Sequence, residues 1–289
     1  MNESNREKIA ILTDSGCDVP NHLIEKYHMK VLSLKIIYKD HIYSDGIDIE
    51  AEEVYKGFAR EIPKTSTPNI QEVNDAVASL KEEGYEKIIA ICISTGLSGT
   101  CNTVTTALRE VTDMETYVFD TKNISFGAGV FAVWVGEKIE EGLGFSEITE
   151  ALAKKTADSK IFYYMDTLDY LKAGGRIGNV TGVIGKILDL KPIISCNEKG
   201  IYYTVAMTRG KKNGIKKLLS LVEENSNQKE LWFTLLNGRA AEVAAGMKPE
   251  LMELCKKGKL IVERQINASL AIHTGPGLIG VGVFEAGIS

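Results

Sequence analysis

The first half of the chain alternates short apolar runs with longer amphipathic ones, and this alternation restricts the fold more than any single motif does. KIAILTD (8–14) ends at Asp14 and Ser15, and Pro20 is placed to open the helix PNHLIEKYH. MKVLSLKIIY reads as a second strand and EAEEVYKGFARE as a helix. Pro68 begins a third helix that closes near Gly84. KIIAICI (87–93) has the isoleucine-rich continuity of a strand buried on both faces. A helix follows over about 100–111, then the strand ETYVFD, then helices over about 125–142 and 146–157. Strands alternating with helices imply a parallel sheet covered on both faces.

Near Lys160 the pattern changes. IFYYM, KPIISC, IYYTVAMT, ELWFTLL, KLIVERQ and GLIGVGVF are six strand candidates, and NEKG joins two of them as a hairpin. Hairpins mixed with helices read as α+β. A chain of 289 residues is long for one hydrophobic core and comfortable for two. The expected fold is therefore α/β in two domains: an N-terminal parallel-sheet α/β domain over residues 1–158 and a C-terminal α+β domain over 159–289.

Charge and cysteine content exclude several function classes. A net charge of −5 argues against nucleic acid as a partner, since a polyphosphate needs a basic surface. The cysteines at 17, 92, 101, 196 and 255 form no C-x-x-C pair, so neither a zinc site nor a disulfide framework is indicated. The most apolar helical stretch, GAGVFAVWVG, falls short of the roughly 20 residues that span a bilayer. The first residues carry no run resembling a signal peptide core. A cytoplasmic location is expected, with at most transient peripheral contact with a membrane.

In open α/β sheets, ligands bind beyond the carboxyl ends of the strands, at helix N-termini. Three polar loops meet that description: TDSGCD (13–18), KTSTP (64–68) and STGLSGT (94–100). In KTSTP, Thr67 before Pro68 is a natural helix cap, leaving Thr65 and Ser66 as ligand contacts. In STGLSGT the hydroxyls could face an anion, or Ser98 or Thr100 could simply cap the helix. Asp14, Ser15 and Cys17 raise the thought of a nucleophile, but the histidines at 22, 28, 41 and 273 are all distant in sequence. LKAGGRIG projects Arg176 from a tight glycine turn, and Arg209 ends a strand before a lysine-rich helix. Arginine's planar donors suit carboxylate or phosphate. GPGLIG (275–280) satisfies G-x-G-x-x-G but has no room for a following helix and acidic ribose ligand, so it reads as a turn entering a strand. His273 just upstream is the one histidine in an apolar setting.

Together, TDS, TSTP, STGLSGT, LKAGGRI and HTGPGLIGVG resemble the DegV family of bacterial fatty-acid-binding proteins, over essentially the whole chain. The resemblance implies a carrier that holds one long-chain fatty acid with its carboxyl group near the domain interface. A separate ATP-dependent fatty acid kinase would phosphorylate that carboxyl group, and the acyl phosphate would feed phospholipid synthesis. It implies that Thr65 or Ser66 and Ser94 or Thr95 hydrogen-bond the carboxyl, with His273 completing that end of the pocket. Arg176 and Arg209 match positions for phosphate handling or kinase docking. No catalytic residue, cofactor or metal is implied, and the absence of G-x-x-x-x-G-K-[ST] agrees with a kinase supplied by a partner. Family members usually read T-S-Q-P where this chain has T-S-T-P, which leaves any contact by residue 67 in question. The alternative reading is a serine-dependent hydrolase or acyl transferase using Ser94 or Ser15 on a small lipid-like substrate.

Overall fold

A computed structural model describes residues 4–180, 190–226 and 230–288. Along the first half run β1 (Ile9–Asp14), α1 (Asn21–Lys26), β2 (Lys30–Leu32), β3 (Lys35–Ile37), β4 (Ile42–Ser44) and α2 (Ala51–Gly57). They are followed by β5 (Lys64–Ser66), α3 (Ile70–Glu82), β6 (Lys87–Cys92), α4 (Thr100–Arg109), β7 (Glu115–Asp120), α5 (Phe126–Glu140) and α6 (Phe145–Lys155). The second half contains β8 (Ser159–Tyr164), α7 (Asp169–Ala173), β9 (Leu190–Cys196), β10 (Tyr202–Arg209), α8 (Gly210–Glu224) and β11 (Leu231–Gly238). It closes with α9 (Ala241–Leu254), β12 (Gly258–Gln265), α10 (Ala268–Thr274) and β13 (Leu278–Glu285).

The expected parallel sheet is present, in the order β2-β1-β6-β7. Its central strands β1 and β6 are buried on both faces, as their unbroken apolar runs require. Ala10 and Leu12 of β1 pack with Val73, Val77 and Leu80 of α3 and Val104 of α4. Ile9 and Ile11 face the other way, into a cluster with Phe131 and Trp134 of α5.

Two local readings change. MKVLSLKIIY is two strands, not one: β2 pairs with β1 in parallel, while β3 pairs antiparallel with β4 and β5 in a separate three-stranded sheet. The break falls at Leu34, whose N–H donates to the Ser15 hydroxyl at 3.0 Å and so cannot continue the ladder. KTSTP, read as loop, supplies β5. The following helix begins at Ile70 because Asn69 caps it in a reciprocal capping box with Glu72. Pro68 lies outside that helix, and Thr67 is free of capping.

All six strand candidates of the second half form one mixed sheet, ordered β10-β9-β8-β13-β11-β12. One face carries α8 and α9, through Leu218, Val222 and Leu251. The other face shares a core with α5 and the parallel sheet. A helix apolar all round belongs inside a protein, and 13 of the 15 residues of α5 are buried. Trp134, fully buried, donates its indole N–H to the Ala286 carbonyl at 2.7 Å. Lys155 reaches the same place: its ammonium meets Asp158 at 2.8 Å and the Gly287 carbonyl at 2.7 Å, over the rings of Trp134 and Phe284.

Removing one partner of a buried ion pair leaves the other charge uncompensated, at a cost of about 3 kcal/mol. Lys155→Ala should lower the free energy of unfolding in urea by that amount. Lys155→Met, which keeps the aliphatic packing, should lower it by less.

Candidate functional site

A cavity of about 280 Å³ lies where the loops after β1 and β6 meet β5, β10, α10 and the turn after α7. Leu34, Ile93, Leu97, Ile124, Tyr202 and Leu270 give it apolar walls. Thr65, Ser66, Ser98, Arg176, Ser269 and His273 bring polar groups into the same lining. The cavity opens off the carboxyl ends of β1 and β6, where the topology of an open parallel sheet leads one to look.

His273 sits in the last turn of α10, and its Nε2 lies 2.8 Å from the Thr65 hydroxyl. Its Nδ1 is buried without a hydrogen-bond partner. That nitrogen abuts Gly174, where a Cβ would overlap it, so the ring takes its place because position 174 lacks a side chain. Burial, and secondarily the Arg176 charge, push the imidazole down to about 4. The ring is therefore neutral at pH 7, with one proton for two nitrogens. Buried N–H groups are rarely left unpaired, so the proton belongs on Nε2, donating to Thr65. The Thr65 O–H is then free to donate into the cavity.

Arg176 follows the glycine turn after α7. Its guanidinium donates to the Gly174 carbonyl at 2.6 Å and the Leu97 carbonyl at 3.4 Å. Among the described residues no carboxylate pairs with it, so the cavity holds one cation with its charge uncompensated.

The structure thus brings together Thr65, Ser66, Arg176 and His273, and leaves three expected residues elsewhere. Ser94 is fully buried, donating to the Gly200 carbonyl at 2.9 Å and accepting from the Gly96 N–H at 3.0 Å. Thr95 donates to Asp120 at 2.5 Å and receives Lys122 at 3.2 Å. Both side chains are engaged where the loop after β6 meets the β9–β10 turn, and neither lines the cavity. Arg209 stands exposed at the end of β10, also off the cavity. Ser98 and Ser269 do line it. Ser98 accepts from the Thr100 N–H at 3.2 Å, although the N-cap of α4 is Gly99, which makes no side-chain cap. Ser269 lies four residues before His273 on one helical face; that spacing was the available signal, hidden because 268–274 reads as the approach to a strand.

The TDSGCD loop lies behind the cavity wall. Asp14 accepts from the Gly16 and Ile93 N–H groups, both at 3.0 Å. Burial raises it to about 7 and raises Asp18 to about 6. Asp45, from the β4–α2 loop, is raised by the same cause. Cys17 is buried, and desolvation pushes its thiol well above the ordinary range, which suits packing and not nucleophilic attack.

An α/β protein with an apolar cavity at its strand ends, and a few convergent polar groups in the wall, is built to bind a small molecule. The chain belongs to the DegV family: the model described as "Uncharacterised protein, DegV family" matches residues 8–286. A DegV domain-containing protein of Clostridium acetobutylicum is 39% identical, covering 96% of this chain and 99% of the relative. A solved DegV family protein from Thermus thermophilus, described by its fatty acid binding, matches with TM-score 0.89 and 25% identity, covering 96% of this chain and 99% of that one. A stearic acid-binding protein from Eubacterium ventriosum matches with TM-score 0.87 and 26% identity, covering 96% and 98%.

Two outcomes are expected. Gly174→Ala should dislodge His273 and weaken binding of a cavity ligand by at least tenfold, measured by titration, without unfolding the chain, since residue 174 has ordinary helical backbone angles. The second concerns pH. Asp14 and Asp18 carry folded values above the roughly 3.9 of an unfolded aspartate, so the folded state holds protons that the unfolded state releases. Their stabilising contribution is complete below about pH 4 and is lost as pH rises to about 7. The urea midpoint should be higher at pH 5 than at pH 8, and a midpoint that rose instead would contradict these assignments.

Proposed function

We propose that this chain binds a long-chain fatty acid in the cavity and presents its carboxyl group to a separate ATP-dependent fatty acid kinase, whose acyl phosphate feeds phospholipid synthesis. The observation that carries this reading is the wall in which Thr65, neutral His273 and unpaired Arg176 converge on an otherwise apolar space. Relatives of the same fold described as binding fatty acid support it. In this reading residues 1–158 and 159–289 are two units with the ligand between them. The parallel sheet draws its strands from the first and the mixed sheet from the second.

The energetics suit such a ligand. Each buried methylene is worth about 0.8 kcal/mol, so ten contribute on the order of 8 kcal/mol before the cost of association. The carboxylate is the expensive end, because an ion without partners in an apolar site is strongly disfavoured. Hydroxyls hydrogen-bond it, with the neutral imidazole holding Thr65 in orientation, so there is no tight counter-charge and it stays nucleophilic toward ATP. Thr65, Ser66 and Ser98 are the carboxyl contacts we favour, and His273 completes that end of the pocket by orienting the Thr65 hydroxyl. Ser94 and Thr95 would then act by holding the loop that presents Ser98. Arg176 would meet the phosphate as it forms, and Arg209 would belong to the kinase-docking surface.

The protein acts here as a carrier, with phosphotransfer supplied by the kinase and no cofactor or metal of its own. Among the described residues no helix is long and apolar enough to cross a membrane, and the working location is cytoplasmic with transient peripheral contact. The hydrolase reading is weaker, because both candidate serines are committed. Ser94 bonds Gly200 and Gly96, and Ser15 accepts from Leu34.

Mass spectrometry of an organic extract of the purified protein should find a long-chain fatty acid. Its absence, together with no uptake of added palmitate or oleate, would remove the carrier reading. Arg176→Ala should retain the lipid while kinase-dependent acyl phosphate formation falls at least a hundredfold, and loss of lipid affinity instead would move Arg176 onto the carboxylate.

A further inference from the structure

Behind the cavity wall lie three carboxyl groups, Asp14, Asp18 and Asp45, all buried. Among the described residues none of them forms a salt bridge. The nearest guanidinium, Arg264 at the end of β12, donates to the backbone carbonyl of Asp18 at 3.0 Å and not to its carboxylate. The cluster is nevertheless wired to the cavity. Asp14 accepts from Gly16 and Ile93, and Asp45 accepts from the Ser269 N–H at 3.1 Å and the Ser269 hydroxyl at 2.5 Å. Gly16, Ile93 and Ser269 all line the cavity. Asp18 ties the start of α10 through the Asn267 N–H at 2.8 Å and also accepts from the Ser125 hydroxyl.

These surroundings suit a proton that comes and goes. Asp18 and Asp45 each sit between a backbone N–H, which only donates, and a serine hydroxyl, which donates or accepts. A proton gained by either carboxyl reverses the serine bond and leaves the N–H bond intact, so no hydrogen bond is lost. Asp14 is held by two N–H donors and lacks such a partner, so the proton that burial favours on it, by raising it to about 7, has no serine to receive it. Of the other groups facing the cluster, Arg264 offsets part of the charge on Asp18, though less than burial raises it. Cys17, Tyr55 and Tyr163 stay neutral, since burial pushes each of them up. His22 and Glu50 line an outer groove with Asp14, Asp45 and Arg264. Arg176 and His273 face it from the cavity.

A ligand carboxylate at Thr65 and His273 lies one helical turn along α10 from Ser269, about 6 Å. An anion added so close, in a poorly screened interior, favours the protonated form of the carboxyls behind the wall.

We infer that a long-chain carboxylate binds together with a proton taken from solvent by the Asp18–Asp45 cluster, so that the protein releases its ligand more readily as pH rises. This rests on the fatty-acid reading above. The proton adds to a carboxylate oxygen and no other bond changes. Burial brings Asp18 to about 6 and raises Asp45 in the same direction, and an added anion moves both further toward neutrality.

The test is calorimetric titration of delipidated protein with palmitate and with hexadecane sulfonate, which stays anionic, in phosphate and in Tris at pH 7. The difference in heat between buffers counts protons. Uptake of about one proton per ligand is expected for both amphiphiles, with Kd rising by up to about tenfold per pH unit above neutrality. Asp18→Asn and Asp45→Asn preserve the N–H and serine bonds and should each reduce the uptake and flatten the pH profile. Binding with no proton uptake would overturn this inference alone, as would uptake undiminished in both variants, which would assign the proton to Asp14, His273 or the ligand. Failure of both amphiphiles to bind would overturn the fatty-acid reading as well. The wild-type measurement decides the first question even if a variant fails to fold.

Discussion

Burial of α5 between the two sheets is the contact on which the remaining geometry depends. A helix without a polar face has no stable surface position, so both sheets must supply it with apolar cover. Ile9 and Ile11 of the parallel sheet and Phe284 of the mixed sheet meet in the same cluster around Phe131 and Trp134. The bond from Trp134 to Ala286 and the Lys155 clamp tie the last strand to that helix. With the sheets so fixed, the carboxyl ends of β1 and β6 confront α10, and the space left between them is the cavity.

A second layer of constraint is polar. The start of α10 is held by Asp18 through Asn267 and by Asp45 through Ser269, across more than 220 positions of sequence. The same helix ends at His273. Charged groups therefore set the position of a neutral one: carboxyls behind the wall anchor the helix whose far end meets Thr65. The wall separates the two kinds of group, with buried carboxyls behind it and the Arg176 guanidinium in the cavity lining.

Much of the fold and part of the site were legible from sequence. The alternation of KIAILTD and KIIAICI with helices specified a parallel sheet, because strands covered on both faces read as unbroken apolar runs. The six strands of the second half were visible for the related reason that β-branched and aromatic runs between turn residues have few other uses. Thr65, Ser66, Arg176 and His273, which line the candidate cavity, stood out in the sequence, the first two as a proline-bounded hydroxyl cluster, the last two because a glycine turn and an apolar setting are unusual for their types. The split of β2 from β3 was invisible: it depends on Leu34 donating to Ser15, a bond between residues 19 apart. So was β5, whose partner β3 lies on another part of the chain.

GPGLIG shows where the division falls. By itself the sequence required a turn there, and the structure excludes a nucleotide loop because the motif enters strand β13 and opens no helix. Gly275 and Gly277 do adopt positive φ between α10 and β13. Only the tertiary structure decided what the turn is for: it ends the helix that brings His273 against Thr65 and Gly174, and it sends the chain into β13 beside β8 and β11. Likewise the sequence offered Ser94 and Ser98 of one loop without distinguishing them. Packing committed Ser94 to Gly200 and left Ser98 in the cavity lining. Local patterns report a residue's neighbours along the chain, whereas a binding site is a set of directions in space, and those directions exist only after the two sheets have closed on α5.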